Sequence, residues 1–283
     1  MRIGEALAQA RQALEPVSET SGSDARLLLA DALGMTTAWV LAHEDAPVPP
    51  DVEPLLQGRL ERCTAGESLP YVLGWWEFYG RRFSVDARVL IPRPETELMV
   101  DLGRTELRRR RAPLRVIEVG TGSGCIAVTL AAEAPTAVIF ASDLSRPALE
   151  VARANAAAHA VAHRLRLVQG FLLEGFVCAW DLICANLPYI PSGRLPALAV
   201  SRHEPRLALD GGERGTRLTG RLIRSLRTCL APGGLALIEM DEDQSEELST
   251  MARRALEDSS IECAPDLAGR PRLLVIRRGD RVR

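Results

Sequence analysis

Apolar and polar positions along the chain change rhythm twice. Over the first 66 residues the apolar positions keep helical spacing, beginning with Ile3, Leu7, Ala10 and Leu14. Ser23-Asp24 opens a second helix through Leu27, Leu28 and Ala32, stopped at Gly34. Thr36 or Thr37 caps a short third helix holding Trp39, Val40 and Leu41. A proline-rich break from Pro47 to Pro54 precedes a fourth, through Leu55, Leu56 and Leu60. Residues 70–92 read differently. The runs Pro70 to Phe78, Arg82 to Val85 and Val89 to Ile91 are aromatic and β-branched, with glycine breaks at Gly74 and Gly80, which predicts a β-hairpin. Pro94 followed by Glu95 and Glu97 starts a helix that ends in Arg108 to Arg111. From Leu114 strands and helices alternate. Strands are expected at 114–119, 137–142, 165–168, 181–185, 235–240 and 272–277, and helices at 123–133, 146–161, 214–230 and 244–257. Such alternation predicts an α/β fold with a mostly parallel sheet and helices on both faces. The expected organisation is a helical domain at 1–69, a hairpin linker at 70–92 and a larger domain at 93–283.

Composition narrows the classes without naming one. The 283 residues suffice for one large domain or two ordinary ones, and 47% hydrophobic content supports a buried core. A net charge of −2 gives no general attraction to nucleic acid or to an anionic membrane, so neither is expected as a partner. No run approaches the ~18 apolar residues of a membrane span, and the charged N-terminus lacks a signal-like apolar centre. The six cysteines show no Cys-x-x-Cys spacing, and Cys125, Cys178 and Cys184 read as buried thiols, which fits a reducing compartment. A cytoplasmic monomer is expected.

Two stretches carry chemistry. The first is Gly120-Thr121-Gly122-Ser123-Gly124, between a strand and a helix. Glycines there let the backbone turn tightly and approach a ligand. The next strand ends in Asp143, about 20 residues on, where an acid can hold both ribose hydroxyls of a nucleoside cofactor. Cys125-Ile126 stand where a dinucleotide loop has its third glycine, and Glu118 beside the loop would repel a pyrophosphate but attract a cationic ligand. S-adenosylmethionine is therefore favoured over NAD. The second stretch is Asn186-Leu187-Pro188-Tyr189, at the end of the apolar run Asp181 to Ala185. Strand ends of open α/β sheets bind ligands. The Asn186 oxygen and the Leu187 carbonyl are two acceptors for an NH2 group, and Tyr189 offers a flat wall. The same four residues also suit an ordinary strand end, since Asn and Pro are common in turns.

Weaker signals stay secondary. Arg108 to Arg111 could meet a phosphate backbone, but cations at a helix C-terminus fit better as a solvated end. His159 and His163 have the i, i+4 spacing of a metal pair but lack a third ligand, so no metal is expected. Gly211-Gly212-Glu213-Arg214-Gly215 reads as a loop shaping a cleft, and Glu204 either supports that loop or lies on the surface. The helical N-terminal region shows no chemistry; it is either structural or a docking module.

Glycine loop, Asp143 and Asn-Leu-Pro-Tyr come in the order found in amino methyltransferases. The match extends to Phe78-Tyr79-Gly80, to Val89 through Glu97 (with Ile91-Pro92-Arg93-Pro94-Glu95-Thr96), to His203 through Gly212 and to Asp266 through Arg270. Over nearly its whole length the chain resembles the PrmC/HemK family, protein-glutamine N5-methyltransferases acting on peptide chain release factors. The resemblance implies a Rossmann-like, seven-stranded, class I S-adenosylmethionine-dependent methyltransferase domain behind a helical substrate-docking domain. It implies that Gly120 to Gly124, Asp143, Phe171, Leu172 and Asn186 contact S-adenosylmethionine. Asn186, Leu187, Pro188 and Tyr189 would hold the glutamine of the Gly-Gly-Gln loop of class 1 release factors, and Phe78 and Arg93 to Thr96 would lie near the pocket. Three departures stand out. Leu187 replaces the first proline of Asn-Pro-Pro-Tyr, Gln169-Gly170-Phe171-Leu172 stands where an adenine-binding acid usually follows the third strand, so that Phe171 would stack on adenine instead, and Asp241 replaces the glycine of Glu-x-Gly. Alternatives within the chemistry are a ribosomal-protein glutamine or a DNA adenine. Outside it are an NAD-dependent oxidoreductase and a non-catalytic binding protein.

Overall fold

The structure, a computed structural model, describes residues 1–110 and 114–280, so Arg111 of the expected helix end lies outside them. The chain divides into two units, Met1–Trp75 and Trp76–Arg283. The division falls within residues 70–92: the first six belong to one unit and the rest to the other.

In the first unit four helices follow the sequence pattern: α1 (Ile3–Leu14), α2 (Ser21–Leu33), α3 (Thr37–Ala42) and α4 (Val52–Thr64). A fifth, α5 (Leu69–Leu73), occupies what the aromatic pattern assigned to a strand. The Thr36 hydroxyl accepts from the Trp39 amide and starts α3, while Gly34 ends α2 in the left-handed conformation. One stripe of each longer helix is buried, with Ile3, Ala10 and Leu14 on α1, Leu28 and Leu29 on α2, and Leu56 and Leu60 on α4. Beneath them Asp31 accepts from Arg59 at 2.7 Å and from the Trp75 indole at 2.7 Å.

The boundary between the units falls inside a short hairpin, β1 (Trp75–Phe78) and β2 (Arg81–Ser84). Tyr79 and Gly80 turn it, both at positive φ, as a primed two-residue turn requires. Val89 to Ile91 form no strand. Ile91 spends its amide on Glu204 rather than on a neighbouring strand.

The remaining elements are α6 (Glu97–Arg109), β3 (Arg115–Val119), α7 (Cys125–Glu133), β4 (Val138–Asp143), α8 (Arg146–Ala158), β5 (Leu165–Gln169), β6 (Trp180–Ala185), α9 (Arg206–Leu209), α10 (Arg217–Cys229), β7 (Leu230–Glu239), α11 (Ser245–Ala255), β8 (Ser259–Pro265) and β9 (Pro271–Arg278). The seven-stranded sheet has the order β5-β4-β3-β6-β7-β9-β8. It is parallel as far as β7, and β9 and β8 close it antiparallel. The periodicity missed β8. Its residues alternate only between half-buried and exposed, as an edge strand allows, so no hydrophobic contrast marks it. Within β3, Val116 faces a core with α6 and α7, whereas Ile117 and Val119 face one with α10 and α11. Alternate residues therefore bury both faces, which is why the strand reads as a continuous apolar run. Strand order reverses between β3 and β6. In open α/β sheets the crevice outside such a switch point is where ligands bind.

Candidate active site

A cleft opens at that switch point. Of the residues the sequence singles out, Gly120, Thr121, Gly122, Ser123, Asp143, Phe171, Leu172, Asn186, Leu187 and Pro188 line it, with Glu118, Arg93 and Thr96. Gly124, Tyr189 and Phe78 do not line it. Gly124 is turned towards α8, where an added Cβ would lie 3.1 Å from Ala152. Phe78 is a core residue packed edge-on to Phe83. Tyr189 is half-buried with its hydroxyl on Glu239, so it anchors the turn rather than walling the cleft.

On the β3 side, backbone amides shape the acids. Asp143 accepts from Gly122 N at 2.9 Å and from Ser145 N at 2.8 Å, one bond per oxygen. A carboxylate has about four lone-pair sites, so both oxygens retain capacity for ribose hydroxyls. Burial raises its pKa against those bonds. Glu118 accepts from the Thr121 hydroxyl at 2.5 Å and from Ala127 N at 3.0 Å. Burial dominates nonetheless and pushes its pKa up to about 8, with the Asp143 charge adding to the rise. Among the described residues no arginine or histidine pairs with it. An acid left buried without a counter-ion suits a cationic ligand, and S-adenosylmethionine carries both a sulfonium and an ammonium group. The site therefore fits that cofactor.

On the β6 side the turn is held from behind. Asn186 Nδ2 donates to Thr96 Oγ1 at 3.1 Å, and Thr96 Oγ1 donates to Glu239 Oε2 at 2.6 Å. The Tyr189 carbonyl accepts from Gln244 Nε2 at 2.8 Å. Gly215 packs directly against it: a Cβ there would stand 2.1 Å from that oxygen, at a φ of +75°. The glycine-rich segment 211–215 is thus a support beneath the turn. Glu204 is no surface acid; it is buried and binds the Ile91 amide and the Arg93 guanidinium, tying its loop to the Arg93–Thr96 wall. His159 bonds the Arg82 carbonyl and packs on Phe83. Among the described residues no cluster of His, Cys, Asp or Glu could hold a metal. Cys125 and Cys184 are buried as expected, whereas Cys178 is only half-buried.

Sequence reasoning missed Gln244 and Asn155. Asn155 is buried on α8 and donates to the Ser123 and Ser84 carbonyls, fastening the glycine loop to β2. Its signal was a lone amide among small apolar residues on the inner stripe of a helix.

A protein of Deinococcus radiodurans described as release factor glutamine methyltransferase is 38% identical over 280 residues, covering 98% of this chain and 99% of its own. The chain belongs to that family. A Cereibacter sphaeroides relative of the same description is 37% identical, again over 98% of this chain and 99% of its own. The family profile described as PrmC N-terminal domain matches residues 5–74, ending one residue before the first unit does, and the methyltransferase small domain matches 98–200. Among solved structures, a methyltransferase from Pyrococcus furiosus superposes with a TM-score of 0.53 at 16% identity, over 79% of this chain and 99% of that one. That is a likeness of fold.

Against the other release factor glutamine methyltransferases, the three departures of this chain each have a definite local setting. Leu187 is buried and lies over Gly120, where an added Cβ would come within 2.9 Å of its Cδ2. Packing replaces the ring restraint of proline. Phe171 lines the cleft and packs against the core, with the Arg221 guanidinium 4.7 Å from its ring centre. Asp241 caps the turn Glu242–Gln244: its carboxylate accepts from Asp243 N and its amide donates to Gln244 Oε1, which sets Gln244 for its bond to Tyr189. No helix of the described residues is long and apolar enough to cross a membrane.

Proposed function

We propose that the protein methylates the side-chain nitrogen (N5) of the glutamine in the Gly-Gly-Gln motif of class 1 release factors. The observation that carries this reading is the sharing of one cleft by Asn186, Leu187, Gly120 to Ser123 and Asp143. S-adenosylmethionine, when bound, supplies an electrophilic methyl group. Gly120 to Ser123 and Glu118 hold its methionine end, Asp143 its ribose, and Phe171 and Leu172 its base. Leu172 is kept at a φ of +52°, which a non-glycine residue adopts only under constraint.

An amide nitrogen is a poor nucleophile because its lone pair is delocalised into the carbonyl. Asn186 Oδ1 and the Leu187 carbonyl accept its two N–H bonds and fix the direction of that lone pair. As the nitrogen bonded to the methyl carbon and the sulfonium's carbon–sulfur bond broke, the nitrogen would gain positive charge and its N–H groups would become stronger donors. Both acceptors would then bind the reacting amide better than the resting one. The methylated nitrogen would afterwards release one of those protons to solvent, leaving the neutral N-methyl amide. Arg93 and Thr96 also line the cleft, with Thr96 against the NH2 end of Asn186.

The N-terminal unit docks the release factor. It carries eleven acidic residues against five arginines, a net charge of −6, within a chain whose total is −2. A basic partner face is expected, so added salt raises KM for the release factor while kcat holds. The deciding experiment incubates the protein with labelled S-adenosylmethionine and purified release factor. Label appears on the wild-type substrate and is absent when its glutamine is replaced by alanine. Label on both, or on neither, rejects the reading.

A further inference from the structure

We infer that Thr96 and Glu239 are positioning residues that decide which end of the Asn186 amide faces the cleft. This rests on the reading of Asn186 as an acceptor for the substrate amide.

The two ends of an asparagine amide have nearly the same shape, so packing does not tell them apart; hydrogen-bond partners do. Among the described residues the partner of the Asn186 amide is Thr96 Oγ1. A threonine hydroxyl has one proton. Here it points to Glu239 Oε2 at 2.6 Å, a charge-assisted bond between two buried groups. Thr96 therefore offers Asn186 only lone pairs. The NH2 end must turn to Thr96, and the carbonyl end is left for the cleft.

Glu239 does not line the cleft, and the chain from carboxylate to hydroxyl to amide spans three segments far apart in sequence. Its other oxygen receives the Tyr189 hydroxyl in a long bond of 3.4 Å. One carboxylate thus reaches both ends of the Asn186–Tyr189 turn. The charged and titratable groups around it are Arg272 on β9, Glu95 beside Thr96, Tyr189 after β6 and Cys125 at the start of α7. When Glu239 takes a proton the relay can reverse. The acid donates to Thr96, the Thr96 proton turns to Asn186, and the amide presents NH2 to a substrate NH2. Burial raises the Glu239 pKa to about 7, which puts that reversal in a measurable range.

The test compares Thr96→Val, which keeps the shape and removes the hydroxyl, with Thr96→Ser, which keeps the hydroxyl. Single-turnover methylation of the release factor is followed at saturating S-adenosylmethionine, beside calorimetric cofactor affinity. Thr96→Val is expected to slow transfer by about tenfold or more, the scale of one misdirected acceptor, with cofactor affinity within about twofold. Thr96→Ser is expected to recover most of the rate. The wild-type rate falls as pH drops through about 7, and Thr96→Val loses that limb. A Thr96→Val enzyme with wild-type rate and pH profile overturns the inference, as does a Thr96→Ser enzyme equally slow. Should the valine variant lose its fold, Thr96→Ala removes the same hydroxyl with no methyl against the carboxylate, and a wild-type rate there also overturns it. A wild-type enzyme that leaves the release factor unlabelled defeats the proposed function, a separate outcome.

Discussion

Glu118 and Glu239 sit alike in the sheet and stand differently towards the cleft. Each ends a central parallel strand or lies near its end, each is almost fully buried, and each accepts a threonine hydroxyl, from Thr121 and Thr96 respectively. Burial raises both pKa values, to about 8 and about 7. Yet Glu118 lines the cleft and Glu239 does not. The first can meet a ligand's charge directly. The second has the Thr96 and Tyr189 hydroxyls in front of it and can reach the cleft only through them. Similar local chemistry thus sets one carboxylate at the cleft and the other behind it, and what differs is what stands between the carboxylate and the cleft.

That contrast can be broken on its β6 side first. Replacing Asn186 by alanine removes the acceptor and is expected to cut turnover by about 10²–10³-fold, as for loss of one transition-state acceptor or donor. S-adenosylmethionine affinity should change far less, and an unaltered single-turnover rate rejects the role. Next in size is Gly215→Ala. Its Cβ would collide with the Tyr189 carbonyl at a φ of +75°, and an incompatible backbone site costs more than about 1 kcal/mol. A lowered melting temperature together with slowed transfer is expected; a stable, fully active variant shows that the turn does not need this support.

On the β3 side Glu118→Gln keeps the shape and removes the charge. Cofactor affinity is expected to fall about tenfold, the scale of a hydrogen bond to a charged group, as read by calorimetry with S-adenosylmethionine. The same carboxyl predicts a pH effect. Its folded pKa of about 8 and that of Glu239, about 7, exceed the unfolded glutamate value of about 4.3. The folded chain therefore holds these protons longer. Their contribution to stability is complete below about pH 4 and is lost as pH rises through about 7 and about 8. The ligand-free melting temperature should fall over that range, and Glu118→Gln should flatten the fall. A cationic ligand reverses the preference, so cofactor affinity should rise with pH up to about 8. The smallest effect expected is for Phe171→Ala, a loss of a few-fold in cofactor affinity, on the scale of about 1 kcal/mol per aromatic contact. Equal affinity would remove Phe171 from the site.

Much of this was readable in one dimension. The glycine loop, Asp143 and the Asn186–Tyr189 turn each lie at the end of an apolar run, and strand ends are set by local pattern. The parallel strands and the helices between them fell close to their expected bounds for the same reason. Strand β8 and helix α5 did not. One lacks contrast between its faces, and the other is a single turn of residues that elsewhere favour strands.

From its residue order alone this protein was committed to a helical unit and an α/β unit, and to a glycine loop ahead of an Asn-Leu-Pro-Tyr strand tip. Those properties depend on neighbours a few positions apart. That Glu239 stands behind Asn186, that Gly215 lies under Tyr189, and that Tyr189 faces away from the cleft were settled only when distant strand ends met. Such contacts arise from the sheet order, and nothing in the spacing of residues 96, 186 and 239 foretells that one hydroxyl will lie between two side chains.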